Sequence, residues 1–327
     1  MKGIDLKLGV FFSFVIILTL NGLRVGVGTD YDNYKDIYYL IKNGLPVSVE
    51  PGYVVINKVF ADIDKGYKIV FFFSTFITYF LIYLTIRYYQ IYGLGILFMF
   101  CFGFIIFTNN IIRQGIAISI FFYGIKYITN KNLIKYIFTC LFAALFHISA
   151  VLLIPFYFLA NIKLSRNRLY IILFLAIIMT FTDLLRSILL NVVGIFPKYL
   201  NYIGGAFDDT AGNFGISMIL LFILISVIIY FYNNLILNQE EGTIINLFLW
   251  GTILSFPLFK ISFLFRFSYY FSMLIFLALP IFLRGMENSV NKNILSILFI
   301  TYALIWWLRA FIFNDHGMIP YNSLLFN

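Results

Sequence analysis

The 327 residues are 62% hydrophobic and 21% aromatic but only 11% charged, with mean hydropathy +0.96. Soluble domains carry about 25% charged residues, so a soluble enzyme is excluded and an all-α, polytopic integral membrane protein is expected. The net charge of +9 is scattered between apolar runs, which fits orientation signals and contacts with anionic lipid or lipid phosphate and argues against a nucleic-acid partner.

Lys2 and Lys7 precede the first apolar run, and no A-x-A site follows it, so this segment is expected to remain as a signal-anchor. Apolar runs at 8–23, 67–86, 91–108, 111–128, 134–146, 148–160, 169–183, 214–233, 243–260, 264–283 and 294–313 predict about 11 membrane helices within one domain, 1–327. Runs of this length exclude a β-barrel. Cys101 and Cys140 both lie inside runs, so no disulfide framework is expected. The short connections "KYITNKNLIKY" (126–136) and "NIKLSRNR" (161–168) are the most basic and are placed in the cytoplasm. That puts 24–66, 184–213 and the tail 314–327 outside. The stretch 134–160 reads either as one long tilted helix or as two short helices meeting near His147. The second keeps both basic connections on one side.

The outer loop after the first run carries its own pattern. Thr29 and Asp32 form a T-x-x-D capping box opening a short helix, on which Tyr31, Tyr34, Tyr38 and Ile41 share one face. Gly44, Pro46 and Pro51 then break the helix. Tyr53, Ile56 and Phe60 mark a second amphipathic piece, and both pieces suit helices lying on the membrane surface.

Several polar residues stand out against this background. Asp30 and Asp32 form a D-x-D that suits a metal, a sugar phosphate or a general base, or simply favours a helix N-terminus. Glu50 precedes Pro51, which forces an extended backbone and presents the carboxylate at a fixed angle. Arg113 follows Asn109 and Asn110 by three to four residues on one helical face, suited to a bidentate phosphate contact or to snorkelling. His147, far from any formal charge, suits proton transfer or an interhelical hydrogen bond. Arg24 and Arg266 also adjoin apolar spans, where an arginine calls for an anionic partner. His147 and His316 are the only histidines, so no zinc site is expected, and nucleotide-binding or hydrolase signatures are absent.

Six segments in order, "RVGVGTDYDNY" (24–34), "EPGY" (50–53), "NNIIRQGIAISI" (109–120), "LFHISAV" (145–151), "RFSYYF" (266–271) and "PYNSLLF" (320–326), resemble the EpsG-like family of polysaccharide repeat-unit polymerases, of the broader Wzy type. The resemblance implies a membrane glycosyltransferase working at the extracytoplasmic face on polyprenyl-diphosphate-linked oligosaccharides, with membrane lipid and a chain-length regulator as further partners. Its product would be a surface polysaccharide such as O-antigen of lipopolysaccharide, capsule or exopolysaccharide. Under it, His147, Asp30 and Glu50 are the catalytic candidates, and Arg24, Arg113 and Arg266 the diphosphate-binding ones. Tyr31, Tyr34 and Tyr53 are the sugar-contacting ones, and no metal or other cofactor is expected. Two rivals stay open: a transferase adding a single sugar from a polyprenyl-phosphate donor, and a flippase of lipid-linked oligosaccharide.

Overall fold

A computed structural model describes residues 2–162, 164–182, 187, 215–259, 261–314 and 316–325. The expected second outer loop, 184–213, lies outside the described residues apart from Ser187. The chain is 77% helical with no strand among the described residues, as an all-α membrane protein requires. Two isolated bridges, Arg24 with Ser323 and Leu235 with Met286, tie loops together.

In chain order the helices are α1 (Lys2–Gly22), α2 (Tyr31–Lys42), α3 (Pro51–Val59), α4 (Tyr67–Tyr89), α5 (Tyr92–Cys101), α6 (Phe104–Asn110), α7 (Ile112–Thr129) and α8 (Leu133–Ala144). A 3-10 turn (Ile148–Leu153) leads to α9 (Phe156–Ala160) and α10 (Arg166–Phe181). After the undescribed segment come α11 (Ile216–Phe231), α12 (Gln239–Leu258), α13 (Ser262–Ser272), α14 (Ile275–Arg284) and α15 (Ser289–Ile312).

Every apolar run therefore carries helix among its described residues, but not every run is an uninterrupted one. Five stretches, Tyr67–Tyr89, Ile216–Asn234, Gln239–Leu258, Leu264–Arg284 and Ser289–Ile312, are long and apolar enough to cross a bilayer. A sixth follows if α5 and α6, bent by 52°, are counted as one. The bend has a local cause: Gly103 sits between them at φ +74°, a conformation that interrupts the helical ladder. Other apolar helices, Leu6–Gly22 and Leu133–Ala144 among them, fall short of that length.

The region 134–160 shows this best. His147 is extended (φ −154°, ψ 112°) between α8 and the 3-10 turn, so the helix ends there and the chain doubles back. The Tyr136 hydroxyl donates to the Leu153 carbonyl at 2.8 Å, and the Tyr136 and Tyr157 rings lie 5.7 Å apart. In one continuous helix residues 136 and 153 would be about 25 Å apart. Two short elements meeting at His147 is thus the observed arrangement.

Successive segments run in alternating directions, which sorts the connections to two ends. At one end, the loops 23–30, 43–52, 145–148 and 316–323 meet the starts of α7 and α13. At the other, Arg284 donates to the Tyr89 carbonyl and pairs with Glu241 at 2.7 Å, and Arg166 N donates to Asn233. The core between the ends is aromatic and tight. A Cβ on Gly251 of α12 would fall 1.8 Å from Cγ of Phe271 on α13, so these helices touch only because position 251 lacks a side chain.

The outer-loop helices depart from the sequence expectation in two ways. The capping box does not form: α2 is preceded by Asp30, which makes no side-chain cap, and the Thr29 hydroxyl is drawn instead to Asn110 Oδ1 at 3.1 Å. The Tyr31, Tyr34, Tyr38, Ile41 face exists but turns inward, every member buried. Protein covers this face because α4 and α3 offer aromatic partners to it: Tyr31 meets Phe71 at 4.8 Å and Tyr34 meets Tyr53 at 5.6 Å. The helix ends as expected at Gly44, φ +69°.

Candidate active site

Glu50 is delivered by the strand-like approach to α3. Its backbone is extended (φ −66°, ψ 148°) because Pro51 follows and opens the helix. Gly52 then docks this loop on the His147 turn, its N–H donating to the Leu145 carbonyl at 2.8 Å. A Cβ at position 52 would sit 2.7 Å from that carbonyl oxygen, so only glycine permits the approach.

That docking gathers three residues distant in sequence. Arg113, in the first turn of α7, donates from Nη1 to Glu50 Oε2. His147 Nδ1 lies 3.2 Å from Glu50 Oε1, which also accepts the Ile148 N–H at 3.2 Å. Burial raises the Glu50 carboxyl, but the His147 hydrogen bond and the Arg113 charge outweigh it and hold the carboxyl down at about 2. Such a carboxylate is a poor proton acceptor near neutral pH; what it does well is fix an imidazole. With Nδ1 turned to Glu50, the His147 Nε2 has no hydrogen-bond partner among the described residues. The side chains of Arg113 and His147 are 25% and 23% exposed, so the cluster is sheltered and still reachable.

Arg113 has further neighbours. The buried Tyr34 hydroxyl interacts with its guanidinium, while its Nε is buried without a partner. The adjacent Gln114 donates to the Arg266 carbonyl at 2.7 Å, which brings the α13 backbone beside α7. Arg266 itself is exposed and makes no ion pair among the described residues. Ser149, two residues after His147, reaches the buried Tyr270 hydroxyl at 3.4 Å.

The remaining candidates sit differently. Asp30 is half-buried at the start of α2, its N–H donating to Asn110 Oδ1 at 3.3 Å, and Asp32 is exposed. Arg24 is 2% exposed and is enclosed rather than presented. It donates to the carbonyls of Asn21 (2.7 Å), Asn109 (3.0 Å) and Val27 (3.3 Å) and lies 5.2 Å over the Phe71 ring. Burial pulls it down to about 10, so it stays charged at neutral pH, with backbone dipoles in place of an anion. A diphosphate has no access to it. Tyr31, Tyr34 and Tyr53 are likewise sealed, at 4%, 5% and 0% exposure, and offer no face to a sugar. Both corrections share a cause: periodicity and flanking hydropathy identify a buried face without saying whether ligand, lipid or protein buries it.

The sequence pattern also put Asn109, Asn110 and Arg113 on one helix face, but Ile111 (φ −102°, ψ 52°) separates α6 from α7. Freed from that face, Asn109 donates to Asn21 at 2.6 Å and Asn110 donates to the His316 carbonyl at 3.1 Å. The sequence motif covers the tail only from Pro320 on, but contacts begin at His316 and run to Leu324. They strap the 23–30 loop through Gly28 to Gly317, Thr29 to His316, Val25 to Asn322 and Leu324 to Leu23. Described residues from all six sequence motifs thus meet at one end of the bundle. Among the described residues no cluster of three His, Cys, Asp or Glu side chains could hold a metal.

These features define an all-helical integral membrane protein with an Arg–Glu–His cluster at one end of an apolar bundle. The chain belongs to the EpsG family, whose model matches residues 7–323, and is accordingly a membrane protein of the polysaccharide-polymerase type. No curated protein and no solved structure matches it.

Proposed function

We propose that the protein polymerises polyprenyl-diphosphate-linked oligosaccharide repeat units at the extracytoplasmic face of the bacterial inner membrane. In this reading the short paired helices complete about 11 membrane segments, with the basic connections 126–136 and 161–168 in the cytoplasm and the motif-bearing end outside. The carrying observation is the convergence of Arg113, Glu50 and His147 at the end opposite the basic connections, where Gln114 also holds the Arg266 backbone carbonyl beside α7.

The chemistry follows from those groups. A hydroxyl on the sugar of the incoming lipid-linked repeat attacks the anomeric carbon of the growing chain. His147 Nε2 takes the hydroxyl proton, and Glu50 holds the imidazole and stabilises its charged form. The bond from the anomeric carbon to the carrier phosphate breaks, and the electron pair leaves with the lipid diphosphate. Arg266, without an ion pair among the described residues, and the part-exposed guanidinium end of Arg113 meet the charge that develops there. Asp30, at the rim beside Tyr34, is placed to orient a sugar hydroxyl rather than to move the proton.

Alanine at Arg113 or Arg266 is expected to abolish the polymer ladder on a gel while membrane levels of the protein hold. Full ladders from both variants would remove the clamp. A purified enzyme that adds one sugar and stops would instead establish the single-sugar transferase.

A further inference from the structure

At the end of the bundle away from Glu50, a cavity of about 1000 Å3 opens between the turn after α7, the end of α9 and the first turns of α12. Lys131, Tyr157, Asn161, Asn238 and Gln239 bring polar groups to it, and Phe158 and Leu235 give it apolar walls. Much of this polar lining is unused. Asn238 spends its carbonyl on the Glu241 N–H, leaving its amide N–H groups free. The Lys131 ammonium and the Tyr157 hydroxyl have no partner among the described residues. The nearby acids are already engaged: Glu241 pairs with Arg284 at 2.7 Å and accepts the Asn238 N–H at 3.0 Å, and Glu240 accepts from Tyr88 at 3.2 Å. Lys131 is the one formal charge among the described residues of the lining.

Gly242 is the second observation. It lies in the first turn of α12 on the cavity wall, at ordinary helical φ, and a Cβ added there would meet nothing within 4 Å. Neither backbone conformation nor crowding requires glycine, which weakens a helix relative to alanine. A side chain added at this position would project into the open space of the cavity.

We propose that this cavity binds an anionic glycerophospholipid, the phosphate meeting Lys131 and the amide and phenol donors, and the start of an acyl chain lying on the apolar wall. Basic, donor-lined clefts at the membrane boundary are suited to such headgroups, and a free phosphate would fill only a small part of the volume. The site is independent of the glycosyl-transfer reading.

The test uses the full chain purified in a neutral, lipid-stripping detergent, with phosphatidylglycerol, phosphatidylcholine and inorganic phosphate as probes. Thermal unfolding and retained lipid in native mass spectra are the readouts. Phosphatidylglycerol is expected to raise the melting temperature and to be retained. Lys131→Gln should weaken it about fivefold. Gly242→Trp, which fills the space from an unobstructed position, should abolish it while leaving the lipid-free melting temperature near wild type. Gly93→Trp, at an equally open position on α5, should bind normally. Equal stabilisation by phosphatidylcholine, or normal phosphatidylglycerol binding by Gly242→Trp, overturns the proposal. The same shift from inorganic phosphate alone overturns the lipid as its source.

Discussion

Replacing Glu50 by glutamine removes one charge with little change of shape and separates the roles assigned to the cluster. Glu50 accepts from Arg113, His147 and the Ile148 N–H, and its side chain is 14% exposed. Removing one partner costs about 3–5 kcal/mol for a fully buried ion pair and under about 1 kcal/mol for an exposed one. Intermediate burial places Glu50→Gln at about 2 kcal/mol. The pH dependence has a definite sign. The carboxyl is lowered from 4.5 to about 2, so its contribution is complete above pH 4.5 and is lost as pH falls from there through about 2. An acid limb of polymerase activity nearer neutrality therefore cannot come from Glu50. If His147 is the base of the proposed transfer, losing the carboxylate that holds its imidazole should slow turnover by about 10²–10⁴. The assay is single-turnover extension of a synthetic lipid-linked repeat in proteoliposomes, with melting temperature followed in parallel. Glu50→Asp, which keeps the charge but shortens the reach, should fall between. A Glu50→Gln enzyme within a few-fold of wild type at neutral pH would refute the orienting role and return Glu50 to ion pairing alone.

Arg24→Lys should fail to rescue Arg24→Ala, because an ammonium cannot serve three divergent carbonyls as the planar fork does. Both should lower the yield of monodisperse protein in fluorescence-detected size-exclusion chromatography, unlike Arg266→Ala. Gly251→Ala is expected to cost about 1–3 kcal/mol or more, since the new methyl group lands on Phe271; a melting temperature unchanged from wild type would show that α12 and α13 separate freely. Tyr38→Phe removes a hydroxyl lying 2.9–3.3 Å from the carbonyls of Phe60, Ala61 and Ile63. It should cost about 1–2 kcal/mol and raise hydrogen exchange across 60–66 without altering exchange at the His147 turn.

Local composition and short-range geometry determined much of this protein. Helices cover every apolar run because an apolar stretch in lipid must satisfy its own backbone. The α2 face of Tyr31, Tyr34, Tyr38 and Ile41 is set by the helical period, and the extended Glu50 by the proline after it. The reversal at His147 was also legible, because a hairpin there returns both basic connections to one side. Tertiary structure alone decided what each polar group meets. Arg24 and Arg113 look alike in sequence, each an arginine beside an apolar run. One is enclosed by carbonyls from α1, α6 and the 23–30 loop, whereas the other reaches a carboxylate 63 positions away. Whether a guanidinium faces backbone, a side chain or open space depends on which helices pack against it. That packing rests on long-range contacts, such as Gly52 on the Leu145 carbonyl and Gln114 on the Arg266 carbonyl, to which no hydrophobic period refers.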